Sequence, residues 1–221
     1  MEIIQPSFRL DSPYSYDEGV RLLRTIEHCA RVSHAAEERQ TEDSWQRFLT
    51  AVVMQKGDWS VTEHASARVT LRVDRGCTHE IVRHRLFSYT QESTRFVNYG
   101  KKTLEFVEPS WVADCPTSIP AYAWQQSMRD AELTYLEMLK DGRTPQEARS
   151  VLPNSTAATL VMTGNLRNWR HFFLMRTTKE THPDLKRVTI PMLAAFQERI
   201  PILYDDIVPN EKQSVSLSKP K

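Results

Sequence analysis

An α+β (mixed α/β) chain, rich in helix and carrying a small sheet, is the fold class this sequence predicts. Several segments repeat apolar residues at helical spacing, one stretch alternates strictly, and prolines punctuate the connection between them. The first helix is expected over 16–30. Ser15 stands as its N-cap, Asp17 and Glu18 suit the positive end of the dipole, and Val20, Leu23, Ile26 and Ala30 share a face. A second is expected over 41–56, with Trp45, Phe48, Leu49, Val52 and Val53 along one side and Gly57 to stop it. Ala67, Val69, Leu71 and Val73 then alternate with Ser66, Arg68, Thr70 and Arg72, which is the period of a half-buried strand. Arg68 and Arg72 point outward from it and, with Arg75, are expected in solvent or at a subunit contact. A short helix over 78–85, a loop and a second strand near 103–107 follow. Pro109, Pro116 and Pro120 break the next connection. The remainder reads as helix: 121–139, 145–151 behind Thr144, a segment after Asn154, 168–175, and 185–204, where Pro191 and Pro201 disturb the pattern.

The chain has 221 residues, enough for one domain of ordinary size and short for two. One domain is expected over 1–206, with 207–221, polar and rich in Ser and Lys, as a disordered tail. Lys and Arg number 29 against 28 Asp and Glu, so no global field recruits nucleic acid or an anionic membrane. No apolar run approaches a transmembrane length, and the opening MEIIQPSFRLDS has no basic-then-apolar leader pattern. Three scattered cysteines, Cys29, Cys77 and Cys115, build no disulfide framework, so a cytoplasmic location is expected. Glycine is scarce, 6 of 221, and neither glycine-rich phosphate loop occurs. Any phosphate must be gripped by side chains.

The densest polar cluster runs from Arg83-His84-Arg85 through Ser88-Tyr89-Thr90-Gln91-Glu92-Ser93-Thr94-Arg95. Arginines suit bidentate phosphate contacts, and the hydroxyls and amide add directional donors and acceptors. A solvated basic turn is the other reading of such a run. His79 and His84 stand five apart, which misses the i, i+4 spacing of a zinc helix, so no metal is expected.

Arg83-His84-Arg85 followed by seven residues and Ser93 resembles the signature of the flavin-dependent thymidylate synthase (ThyX) family. Other elements agree in order. Cys29-Ala30-Arg31-Val32-Ser33 is similar to the family's N-terminal element, and Glu63-His64 stands ahead of the strand that leads into the motif. Arg149-Ser150-Val151-Leu152-Pro153 is similar to a later one, followed by Asn165-Leu166-Arg167 and Met175-Arg176. The resemblance spans residues 31–206. It implies a homotetramer with active sites shared between subunits, making dTMP from dUMP with methylenetetrahydrofolate as carbon donor, FAD as redox carrier and NADPH as reductant. Carried over, it implies that Ser60, Arg83, His84, Arg85, Asn165, Arg167 and His171 contact FAD. Glu80, Gln91, Glu92, Ser93, Thr94, Arg95, Arg149 and Arg176 would take dUMP. Arg176 is the catalytic candidate, beside the uracil where it favours a negative ring and a nucleophilic C5. No protein nucleophile is required.

The chain departs from the family pattern at Thr90-Gln91, where Asn-Glu is usual, at Glu80 for Gln, at His171 for Asn, and in a longer run over 177–182. Hydroxymethylation of dUMP on the same fold is therefore an alternative, and a non-catalytic nucleotide- or RNA-binding module is a second one from another class. Cys115 and Ser93 lack a neighbouring base and are read as a loop thiol and a hydrogen-bonding hydroxyl. His64 stands either as a cap of the strand entry or against the cofactor. Trp169, Phe172 and Phe173 are expected in the core rather than as a flavin platform.

Overall fold

Six strands occur among residues 1–209, which the computed structural model describes: β1 (Glu2–Ile4), β2 (Ser7–Ser12), β3 (Ser66–Asp74), β4 (Ser88–Gln91), β5 (Glu105–Val107) and β6 (Ala157–Asn165). β1 pairs parallel with β5, Glu2 opposite Glu105, and the other four form a sheet of order β2-β3-β6-β4. β3 keeps its expected alternation, with Ala67, Val69, Leu71 and Val73 all buried. β6 overturns the helix expected after Asn154. Ala158, Leu160, Met162 and Gly164 are buried between half-buried Thr159, Val161, Thr163 and Asn165, a period of two, and the β-branched members fit a pleated surface.

The α-helices among the described residues are α1 (Tyr16–Val32), α2 (Ser44–Leu49), α3 (Arg75–Ile81), α4 (Ser110–Asp114), α5 (Ile119–Lys140), α6 (Pro145–Ala148), α7 (Leu166–Arg176) and α8 (Pro183–Arg199). Ser15 caps α1 by accepting from the Glu18 N–H, as its sequence predicts. α2 continues as a π-helical stretch, Thr50–Gln55, before Gly57 turns the chain at φ +85°. α3 differs from the expected 78–85: the Asp74 carboxylate accepts from the Cys77 N–H at 2.9 Å, so the helix starts early and ends at Ile81. Arg83, His84 and Arg85 consequently lie in the turns beyond it. α8 runs through Pro191 but stops ahead of Pro201, short of 204.

The described residues gather into two compact units. The first comprises Met1–Ser7, Leu71–Arg83 and Tyr89–Val161. Its core is Tyr99, Leu104, Phe106, Met128, Tyr135 and Ala148, with α5 supplying two of these. The second comprises Phe8–Thr70, His84–Ser88 and the chain from Met162. Here Trp169, Phe172, Phe173, Phe196 and Tyr204 are fully buried, with Phe196 4.9 Å from both Trp169 and Phe173 between ring centroids. Trp169, Phe172 and Phe173 are core, as expected. The Trp169 indole donates to the Ala67 carbonyl at 3.0 Å, which ties α7 to β3. α1 lies so close to α8 that a Cβ on Gly19 would stand 1.6 Å from the Arg199 carbonyl oxygen. Only glycine fits there.

Ile207 is buried and its carbonyl accepts from Gln197 at 3.0 Å, so the chain is still packed where the tail was expected to begin. Residues 210–221 of that tail lie outside the described residues. No helix among the described residues is long and apolar enough to cross a membrane.

Candidate active site

In the second unit the chain beyond Arg83 turns back on itself, and Phe87 seats this turn. Its ring is 4.9 Å from that of Trp169 and fills the space over Gly164, where a Cβ would meet it at 2.4 Å. The glycine in β6 thus makes room for the ring that anchors the motif. Asn168 of α7 donates to the Leu86 carbonyl at 2.9 Å and fixes the other side of the turn. The result is a half-buried His84 flanked by exposed Arg85.

Arg176, the last residue of α7, donates from Nε to His84 Nε2 at 2.9 Å. The His84 ring stands edge-on to Phe172 at 4.9 Å and to His171 at 5.9 Å. Burial, the Arg176 charge and His171 together push its pKa down from the ordinary 6.5 to about 4. Three of the sequence candidates therefore meet: His84, His171 and Arg176. Asn165 caps α7 through its side-chain oxygen, which accepts from the Asn168 N–H at 2.8 Å, so it offers a ligand its amide N–H. Arg167 in the first turn pairs with Glu63 at 2.6 Å, both about half exposed. Such a pair is worth at most about 1 kcal/mol, so the guanidinium can exchange it for a phosphate. Ser60 is exposed in the 3-10 turn Trp59–His64, and His64 closes that turn just ahead of β3.

In the first unit Glu80 sits half-buried on α3, and its carbonyl accepts from the Arg83 N–H at 3.3 Å. Gln91 donates from its amide to Thr78 Oγ1 at 3.1 Å, which ties the end of β4 to α3. Ser93 Oγ accepts from the Arg95 N–H at 3.3 Å, and Thr94 is buried. Arg95 is exposed and hydrogen-bonds Gln146 of α6, which carries the loop toward the turn that Arg149 opens. Arg149 itself is exposed.

Glu92 has a different setting. Its Oε2 accepts from Arg72 at 2.6 Å and from the Thr159 N–H at 3.2 Å, and its Oε1 from Lys102 at 3.1 Å and the Tyr99 hydroxyl at 3.3 Å. Burial alone would raise its pKa, but Lys102, Arg72 and the Thr159 N–H outweigh burial and hold the carboxyl below its usual range. Burial and the carboxylate beside it push the Tyr99 phenol up. Four protein donors occupy the carboxylate, which pins the start of the 91–95 loop onto β6.

Arg72 is the residue sequence reasoning placed wrongly. Instead of pointing into solvent it bridges Glu92 and Glu105, with a further bond to Thr159 at 3.1 Å. Burial would lower its pKa, but the bond to Glu105 and the charge of Glu92 prevail and raise it. Two carboxylates that far along the chain leave no local signal on an outward strand position. Gln146 and Thr78 were missed for the same reason, since their partners are 51 and 13 positions away.

The family model described as thymidylate synthase complementing protein matches residues 21–202. Among curated relatives, the flavin-dependent thymidylate synthase of Corynebacterium efficiens is 32% identical over 170 residues, covering 70% of this chain and 66% of that protein. That of Mycobacteroides abscessus is 36% identical over 180 residues, covering 75% of this chain and 70% of that protein. The chain thus spans about two thirds of the length of these relatives. Among solved structures, a UMP/dUMP methylase, PolB from Streptomyces cacaoi bound with 5-Br dUMP, shares the fold with a TM-score of 0.76 at 23% identity, over 93% of this chain and 96% of that one. By the extent of the family match and the identity to these relatives, the chain belongs to the thymidylate synthase complementing protein family, whose curated members matched here are named flavin-dependent thymidylate synthases.

Proposed function

We propose that this protein converts dUMP to dTMP with methylenetetrahydrofolate as carbon donor, FAD as redox carrier and NADPH as reductant. The observation that carries the reading is the 2.9 Å bond between Arg176 and His84, residues 92 positions apart. It joins the arginine assigned by resemblance to the uracil with the motif assigned to the flavin. In the balanced reaction C5 of the uracil bonds the methylene carbon and loses its proton, one hydride reduces that carbon to methyl, and tetrahydrofolate leaves. FAD, when bound, supplies hydride carriage between NADPH and the transferred carbon.

The residues present fit such a cofactor. Exposed Arg85 and Arg167, with the Ser60 hydroxyl and the Asn165 amide, form a donor set suited to phosphates and ring heteroatoms without any glycine loop. His171 offers an exposed imidazole beside His84. For the nucleotide, Arg95 and Arg149 are exposed guanidinium groups suited to a phosphate, with Ser93, Gln91 and Glu80 as directional partners, while Arg83 stays with the flavin set that the resemblance implies. Glu92 and the buried Thr94 serve this site by shaping the loop. Arg176 stabilises negative charge on the pyrimidine, an effect largest where water is excluded. We further propose a homotetramer with shared sites and a cytoplasmic location.

The test is direct. The purified protein is expected to take up FAD and, given NADPH, dUMP and methylenetetrahydrofolate, to release dTMP by mass spectrometry. A colourless protein that takes up no FAD overturns the reading, and a product heavier by one oxygen atom assigns hydroxymethylation instead. UMP is run beside dUMP because the neighbour in fold is named a UMP/dUMP methylase.

A further inference from the structure

An arginine that must meet a ring edge-on needs its plane fixed before the ligand arrives. The backbone of Arg176 is pinned: its carbonyl accepts from Thr189 Oγ1 at 2.7 Å, and Thr189 is fully buried in α8. The side chain beyond it has four rotatable bonds. What meets its Nε is His84 Nε2. A nitrogen that accepts is a nitrogen without a proton, so the neutral ring bears its proton on Nδ1. The ring cannot swing freely, because Phe172 and His171 stand edge-on against it.

We infer that His84 is a positioning residue for Arg176: its unprotonated Nε2 holds the Nε edge of the guanidinium and so sets the plane in which that group approaches the pyrimidine. This rests on the proposed role of Arg176, and it adds to the flavin contact that the family resemblance implies for His84. Preorganisation is the gain, since a guanidinium already aimed costs no reorientation when charge develops on the ring. The neutral ring persists at working pH because its pKa lies near 4. Among the described residues, Arg176 and His171, both on α7, are charged or titratable groups facing it, with Arg83 and Arg85 flanking it in the chain. Protonation would replace the acceptor by a second donor and place like charges in contact.

Two readouts test this on the FAD-loaded protein. With imidazole-labelled nitrogen, the His84 signals, assigned by their loss in His84→Gln, are expected to show an unprotonated Nε2 and a protonated Nδ1 at about pH 6. Arg176→Met is expected to raise the His84 pKa toward 6.5. A doubly protonated His84 at that pH, or a pKa indifferent to Arg176→Met, overturns the contact. In the kinetic arm, His84→Leu lacks an acceptor and is expected to lower kcat by about 10²-fold, with KM for dUMP changed far less and FAD content retained. His84→Gln, whose amide oxygen can accept, is expected to recover about tenfold of that loss. Equal losses in both variants, accompanied by loss of FAD, make His84 a flavin contact only and overturn the positioning role. A wild-type protein that makes no dTMP overturns the role of Arg176 and this inference with it. The nitrogen signals still report the bond in that case, so the two failures are told apart.

Discussion

At the scale of single residues, Arg176 and His84 make opposite demands on charge. The guanidinium must stay charged, and the imidazole must stay neutral to accept from it. Arg176→Ala is therefore expected to abolish dTMP formation while flavin absorbance is retained, because the donors proposed for the flavin, Arg85, Arg167 and Ser60, are untouched. Loss of both together would place Arg176 in cofactor binding instead. The depressed pKa of His84 also has a thermodynamic sign. Between its ordinary 6.5 and about 4 the unfolded chain binds a proton that the folded chain refuses, so this residue's contribution is intact above that window and falls as the pH drops through it. Thermal melts at about pH 7 and about pH 5 are expected to show a larger acid loss for wild type than for His84→Gln, which has no imidazole there to titrate. An identical loss in both would mean that the ring titrates normally.

At the scale of elements, buried polar and close backbone contacts hold loops and helices in place. The 91–95 loop begins at a carboxylate saturated by four donors, and Arg72 of β3 is the donor that also engages Glu105. Arg72→Met leaves both carboxylates facing each other without their shared cation, partly buried. A loss of about 2 kcal/mol in urea unfolding is expected, less than the cost for a fully buried pair because the site is partly hydrated. The loop then loosens, and KM for dUMP is expected to rise more than kcat falls; an unchanged KM would separate the loop from the nucleotide. The α1–α8 contact is a second such constraint. Gly19→Ala drives a methyl into the Arg199 carbonyl, and the helices must part, at a cost of about 2 kcal/mol or more in the same measurement. α1, with Ser15 as cap and a long apolar period, is readable from the sequence because those signals are local. β6 carries a weak strand signal because alternation in Ala157–Asn165 is muted by alanine and glycine, which fit either state. α3 starts ahead of the expected 78–85 because Asp74 caps it, and the motif consequently lies in turns rather than in a helix.

At the scale of the whole molecule, the family motifs are legible because they stand in order along the chain, whereas the tertiary partners of their residues are not. His84 with Arg176, Glu92 with Arg72 and Arg95 with Gln146 are joined by tertiary contacts 92, 20 and 51 positions apart, and no periodicity encodes such a pairing. For the proposed homotetramer, the surface of α5 offers a candidate contact. Ile119, Tyr122, Leu133 and Leu136 are exposed there by 85, 58, 57 and 38%, and at 100° per residue they fall within an arc of about 100°. A second copy of this chain is the partner that a homotetramer would place on such a stripe, since large apolar side chains at helical spacing are costly to leave in water. Light scattering is expected to give about four times the 25.7 kDa chain mass. Leu133→Asp sets a charge in the middle of the stripe, far from every candidate site residue named above in sequence, and is expected to reduce that mass. If the stripe is the interface and sites are shared, dTMP formation falls with it while the far-ultraviolet circular dichroism of the chain stays unchanged. A tetramer undisturbed by Leu133→Asp would move the interface to another face.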